Sequence, residues 1–209
     1  MDRAVETILE ELEKREEVER KVRRQLTFDE EQVRQDEFLL SLGRASAQLM
    51  YIIAVGAKPK TILEIGGSYG YSTLWLADAA RAVGGKLITL EIHPTKQQHA
   101  RATIAKAGLA DYVDFRLGDA LTTLAALSGP IDFVLLDLWK DLYIPCFDLF
   151  YPRLSPGAFV IADNMIFPEE QRQRAALYRA HVRTKKLVDS VLLPVGGGLE
   201  LSRFVPDAG

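Results

Sequence analysis

The chain has 209 residues, 48% hydrophobic content, and 26 Lys and Arg against 29 Asp and Glu for a net charge of -3. That length suits one well-buried core and is short for two, and the near-neutral balance gives no field that would draw in nucleic acid or an anionic membrane surface. Cys146 is the single cysteine, which excludes an internal disulfide framework, suits a reducing compartment and leaves a small buried hydrophobe as its expected role.

No apolar run approaches the roughly 20 residues of a membrane span, and the first residues carry no apolar signal core. The expectation is a soluble, cytoplasmic protein acting on small molecules. In chain order, residues 3 to 26 predict a charged helix whose Val5, Ile8, Leu12, Val22 and Leu26 form a broken apolar stripe. A second helical stretch is expected over about 30 to 56, its apolar face built from Phe38, Leu39, Leu42, Leu49, Met50 and Ile53. These first 56 residues are expected to cap the substrate side or to pair two copies in a homodimer. Residues 57 to 205 form the core of a single 1–209 domain.

From residue 60 onward strands and helices alternate. The apolar runs TILEI, KLITLEI, VDFRLG, IDFVLLD and AFVIAD each precede a helical segment, near 71–83, 94–108, 120–127, 141–153 and 169–183. This predicts an α/β, Rossmann-like sheet, mostly parallel with helices on both faces. The ending departs from it: VDSVLLPV and LELSRFV are separated only by Gly196, Gly197 and Gly198, a hairpin that adds an antiparallel last strand, for seven in all.

The most informative stretch is KTILEIGGSYGYS at 60–72, where a strand ends in Glu64 and runs through Gly66, Gly67, Ser68 and Gly70 into a helix. A pyrophosphate cradle needs glycine at the first, third and sixth positions of the turn, which here read Gly66, Ser68 and Tyr71. The pattern instead resembles the first motif of class I S-adenosylmethionine methyltransferases, whose cofactor carries no phosphate. Ligands of open parallel sheets bind beyond the carboxyl ends of strands, so the polar residue closing each apolar run matters. Glu91 suits the ribose hydroxyls. Asp119 suits the adenine amino group, or caps the next helix. Ser72, at a helix start, suits the cofactor carboxylate. Asp137, Asp163 and Asn164 supply two carboxylates and an amide, hard donors suited to Mg2+ or Ca2+.

DLWKDLY at 137–143, followed by ADNMIF around Asp163, resembles the metal-dependent O-methyltransferases of the catechol and caffeoyl-coenzyme A type over about residues 57 to 205. The resemblance implies a homologous fold, S-adenosylmethionine as cofactor, a divalent cation (Mg2+, or Ca2+ or Mn2+) on Asp137, Asp163 and Asn164, and Lys140 as catalytic base. It implies a cofactor site lined by Glu64, Gly66, Ser72, Glu91, Ile92, Ala120 and Asp137, with Asp119 beside them and Trp139 against adenine. The acceptor, a catechol-like phenol, would meet Lys140, Asn164 and Glu200. Leu138 stands where the catechol enzymes carry a histidine, and MIFPEE after Asn164 lacks the family's tryptophan and glycine. Two other readings fit part of the pattern. One is a metal-independent methyltransferase for another nucleophile; the other is a nicotinamide oxidoreductase, against which the glycine spacing and the hairpin count.

Overall fold

Alternating apolar side chains decide the layers of the computed structural model, which describes residues 2–205; Met1 and 206–209 of the expected domain lie outside the described residues. In the central strands β1 (Thr61–Ile65), β4 (Ile131–Leu136) and β5 (Leu154–Ala162), successive side chains point to opposite faces. Ile62, Phe133, Leu135 and Ile161 pack on one face, while Leu63, Ile65, Val134, Leu136 and Val160 pack on the other. On the first face lie α1 (Arg3–Arg23), α3 (Arg44–Ala57), α4 (Tyr71–Val83) and α5 (Pro94–Lys106). The second is covered by α6 (Ala120–Ala126), α7 (Tyr143–Phe150) and α8 (Arg172–Arg183). Burial on both sides explains why these strands read as continuous apolar runs.

With β2 (Lys86–Glu91), β3 (Val113–Leu117), β6 (Val188–Leu193) and β7 (Leu199–Phe204), the sheet has the order β3-β2-β1-β4-β5-β7-β6. Strands β1 to β5 pair in parallel, and β7 runs antiparallel to both β5 and β6. The expected seven strands and terminal hairpin are therefore present. The order of connections reverses between β1 and β4, so a crevice opens at their carboxyl ends. Gly66 makes the crevice possible: its φ is +102°, and a Cβ there would run into the carbonyl oxygen of Asp137 at the end of β4.

The single helix expected over 30 to 56 is two. After α2 (Phe28–Val33) and a 3-10 turn at Gln35–Glu37, the chain leaves helical geometry and resumes it only at Arg44. Leu40 (φ 50°) and Gly43 (φ 80°) take left-handed conformations that no right-handed helix continues. The apolar residues of the break, Phe38, Leu39 and Leu42, are buried nonetheless. They lie in a loop over the crevice, with Leu39, Leu40 and Leu42 in its lining. Cys146 is fully buried, as expected, and burial pushes its thiol up to about 12. Among the described residues, no helix is long and apolar enough to cross a membrane.

Candidate active site

A cleft of about 720 Å³ lies over the carboxyl ends of the strands. Gly66, Gly67, Ser68 and Ser72 of the glycine turn line it, as do Glu91 and Ile92 after β2, Asp119 and Ala120 after β3, Asp137, Trp139 and Lys140 after β4, and Asp163 and Asn164 after β5. Residues scattered from 66 to 164 thus meet at the ends of five neighbouring strands.

Each side chain is held by local structure. Glu91 accepts the backbone N–H of Ser68 at 2.7 Å on one oxygen and that of His93 at 2.8 Å on the other. A carboxylate has about four acceptor sites, so this leaves capacity for two ligand hydroxyls. Asp119 caps α6, accepting from the Thr122 N–H at 2.8 Å. Its cap role is fixed, and its position in the cleft keeps a ligand contact open. Trp139 is 45% exposed, with its ring at the cleft.

Three expected residues lie elsewhere. Glu64 is fully buried beneath the turn and does not line the cleft. Its carboxylate accepts from Thr73 at 2.6 Å and Thr89 at 2.5 Å, bracing α4 against β2. Gly70 takes φ +96° at the start of α4, where its backbone abuts Ala100 of α5 rather than the cavity. Glu200, expected at the acceptor, pairs across the sheet from Ala162, yet strand alternation turns its side chain away from the cleft. There it meets Arg183 of α8 at 2.8 Å and Ser190 of β6 at 2.6 Å.

Glu64 gives a pH-linked prediction. Burial, partly offset by its hydroxyl donors, raises its carboxyl from 4.5 to about 7. Between these values the folded protein keeps a proton that the unfolded chain has released, so this contribution to stability is present below pH 4.5 and is lost as pH rises through 7. At about 1.4 kcal/mol per pH unit the loss is roughly 3 kcal/mol. Glu64→Gln keeps an acceptor for both threonines and does not titrate. Urea melts of the ligand-free proteins at pH 5 and pH 8 are expected to show wild type losing about that much more stability than the variant. Equal losses would mean that Glu64 is not protonated in the fold.

The floor carries the most unusual electrostatics. Asp163 is 1% exposed, and neither of its carboxylate oxygens has a hydrogen-bond partner in the protein. Burial raises the Asp137 and Asp163 carboxyls; the Asp137 charge raises Asp163 further, and the Lys140 ammonium works against both shifts. Burial likewise lowers the Lys140 ammonium, against the pull of both carboxylates. A buried and a half-buried carboxylate beside one buried lysine, with two orphan oxygens on Asp163, form a set that a cation would complete. Among the described residues there is no cluster of three or more His, Cys, Asp and Glu suited to a metal, so a cation here depends on the Asn164 amide as the third donor. Asn164 takes a left-handed φ of 55°, a strained setting of the kind that recurs at ligand clamps.

Two features escaped the sequence reading. Tyr143 is fully buried, accepts a hydrogen bond from Lys140 Nζ at 2.5 Å and donates to the Asp163 carbonyl at 3.2 Å. Its only sequence signal is its spacing of three residues from Lys140. The second is the Leu39 peptide, whose N–H donates to Glu19 of α1 at 2.7 Å and whose carbonyl accepts from Ser68 at 3.2 Å. His93, at the N-cap of α5, lies 3.0 Å from Asp36 in the same loop region.

Comparison with known proteins agrees with this architecture. Residues 63–165 match the family model of a methyltransferase domain. A catechol O-methyltransferase of Niastella koreensis is 31% identical over 76% of this chain and 77% of its own length. A catechol O-methyltransferase of Mycobacterium tuberculosis is 32% identical over 61% of this chain, which spans 58% of that relative. Among solved structures, cofactor-bound Rv0187 from MTB superposes with a TM-score of 0.73 at 26% identity, covering 79% of this chain and 82% of that one. The chain belongs to the class I S-adenosylmethionine-dependent O-methyltransferase family.

Proposed function

We propose that the protein methylates one hydroxyl of a catechol-like vicinal diol with S-adenosylmethionine, in the presence of a divalent cation, Mg2+ or a similar hard ion. The observation that carries this reading is the trio of Asp137, Asp163 and Asn164 lining the cleft beside Lys140, with Asp163 buried and both of its oxygens unpartnered. When bound, the cofactor supplies an activated methyl group and the cation supplies positive charge beside a hydroxyl that is losing its proton.

The chain's own residues do the rest. Asp137, Asp163 and Asn164 would hold the cation. Lys140, its ammonium weakened by burial, accepts or shares the acceptor hydroxyl proton at Nζ. Tyr143 fixes where that nitrogen sits. Gly66, Gly67 and Ser68 bring backbone close to the cofactor, and the Ser72 hydroxyl near the start of α4 receives its carboxylate. Glu91 takes the ribose hydroxyls; Ile92, Asp119, Ala120 and Trp139 enclose the adenine. The site's main contributions are positioning and charge control in a cleft from which the apolar Leu39, Leu40 and Leu42 exclude water.

The test is turnover of catechol and of its 1,3-isomer resorcinol, with and without EDTA. The expected result is methylation of catechol alone, lost in chelator and restored by excess Mg2+. Full activity in EDTA would remove the cation from the reading, and equal turnover of resorcinol would remove the vicinal diol.

A further inference from the structure

The mouth of the cleft differs chemically from its floor. Beyond the apolar loop residues, α1 contributes Arg20 and Arg23, and the 3-10 turn before α8 contributes Gln171, with Phe167 and Pro168 beside it. Arg20 and Arg23 belong to a run of cations, Arg20, Lys21, Arg23 and Arg24, that closes α1. Such a run also suits the negative end of a helix dipole. That role needs no residue to line a cavity, and two of the four do.

The donors at this mouth are unevenly committed. Arg20 meets Glu16 at 3.8 Å, too long for a hydrogen bond. Glu16 itself is held by the Ser41 hydroxyl at 2.5 Å. Most of the Arg20 fork therefore remains open to a ligand. Gln171 accepts from Arg174 at 3.2 Å through its side-chain oxygen, which leaves its NH2, a donor, as the group available to a ligand. Arg20 of α1 and Gln171 of the 3-10 turn thus bring donor groups from two separate elements to the lining of the cleft that also holds Lys140, with the charge of Arg23 beside them.

We propose that the acceptor carries a carboxylate, received by Arg20 and Gln171 in the field of Arg23, while its diol reaches the floor. The planar guanidinium fork matches a carboxylate in charge and shape. Glu16 at the same end of the cleft sets the limit: it repels a phosphate dianion more strongly than a carboxylate monoanion. The proposal rests on the methyl-transfer reading for the diol and adds the substituent that selects it.

The experiment is calorimetric titration of the full-length enzyme, saturated with S-adenosylhomocysteine and Mg2+, with three ligands: 3,4-dihydroxybenzoate, catechol and 3,4-dihydroxybenzylamine. Wild type is expected to bind the benzoate at least about tenfold more tightly than the amine. Arg20→Gln is expected to cut that ratio severalfold, Arg20→Glu to reverse it, and Gln171→Glu to reduce it. Failure of the benzoate to bind, equal affinities for the three ligands, or a ratio unchanged in Arg20→Gln and Gln171→Glu would overturn the proposal. Catechol turnover, measured in parallel, judges the methyl-transfer reading separately: anion preference without turnover supports the mouth site and sinks the reaction, and turnover without preference does the reverse.

Discussion

Asp163→Asn is expected to lower catechol turnover by roughly 10²-fold or more while leaving the cation-free protein at least as stable as wild type. The two effects have one cause. Asp163 is buried, its oxygens have no partner in the protein, and the Asp137 carboxylate works against its ionisation. Without a cation this arrangement costs stability, since an uncompensated buried charge is worse than a neutral isostere. Removing the charge relieves that cost and, on the proposed reading, removes a cation ligand at the same time. A gain of about 1 kcal/mol would raise the midpoint of a protein this size by roughly 2–4 °C. The measurement is a pair of thermal melts, in EDTA and in excess Mg2+, beside turnover. Wild type is expected to gain stability with Mg2+ and the variant to gain little. A variant that is less stable in EDTA yet fully active would make Asp163 a structural acid.

Lys140→Met is expected to reduce kcat by about 10²- to 10³-fold, within the usual range for loss of a general base, with little change in the acceptor KM. Tyr143→Phe separates position from chemistry. It keeps the ring that packs against Tyr178 at 5.3 Å and removes the hydroxyl linking Lys140 to the Asp163 carbonyl. A loss of about tenfold in kcat corresponds to the roughly 1.4 kcal/mol expected for a hydrogen bond to a charged group. If the tyrosine acts through the lysine, the double variant is no slower than Lys140→Met alone, which a double-mutant cycle reads directly. Additive losses would give Tyr143 a separate role, and a wild-type rate in Lys140→Met would remove the base.

Much of the architecture was legible because its signals are local. Strands covered on both faces must be apolar throughout, so FVLLD and FVIAD announced themselves, and three glycines between two short runs left little but a hairpin. Asp137, Asp163 and Asn164 were legible for a related reason: a polar residue ending a buried strand emerges at the sheet's carboxyl edge. Glu200, expected from the resemblance alone, sits at the start of an antiparallel strand, where alternation with Leu199 and Leu201 turns it to the same face as Ser202 and α8 supplies the arginine that meets it. Glu64 failed that rule because a strand-end acid can also point inward when threonines on neighbouring elements receive it. The break at 38–43 left no periodic trace: Phe38, Leu39 and Leu42 are as apolar as helix residues, and only the cleft beneath them explains why the chain loops there.

The terminal hairpin has a temporal consequence. Its turn residues Gly197 and Gly198 accept the backbone N–H groups of Met165, Ile166 and Phe167 at 2.8 to 2.9 Å. A Cβ on Gly197 would lie 2.9 Å from the Asn164 side-chain nitrogen. The segment carrying Asn164 is therefore buttressed by residues synthesised after it. A chain still on the ribosome, with β1 to β5 already out, holds the glycine turn and both aspartates but not the support that seats the amide. A chain from which the β6–β7 pair has not yet emerged, or has been cut away, therefore lacks that support for the Asn164 segment even where most of its sheet has formed.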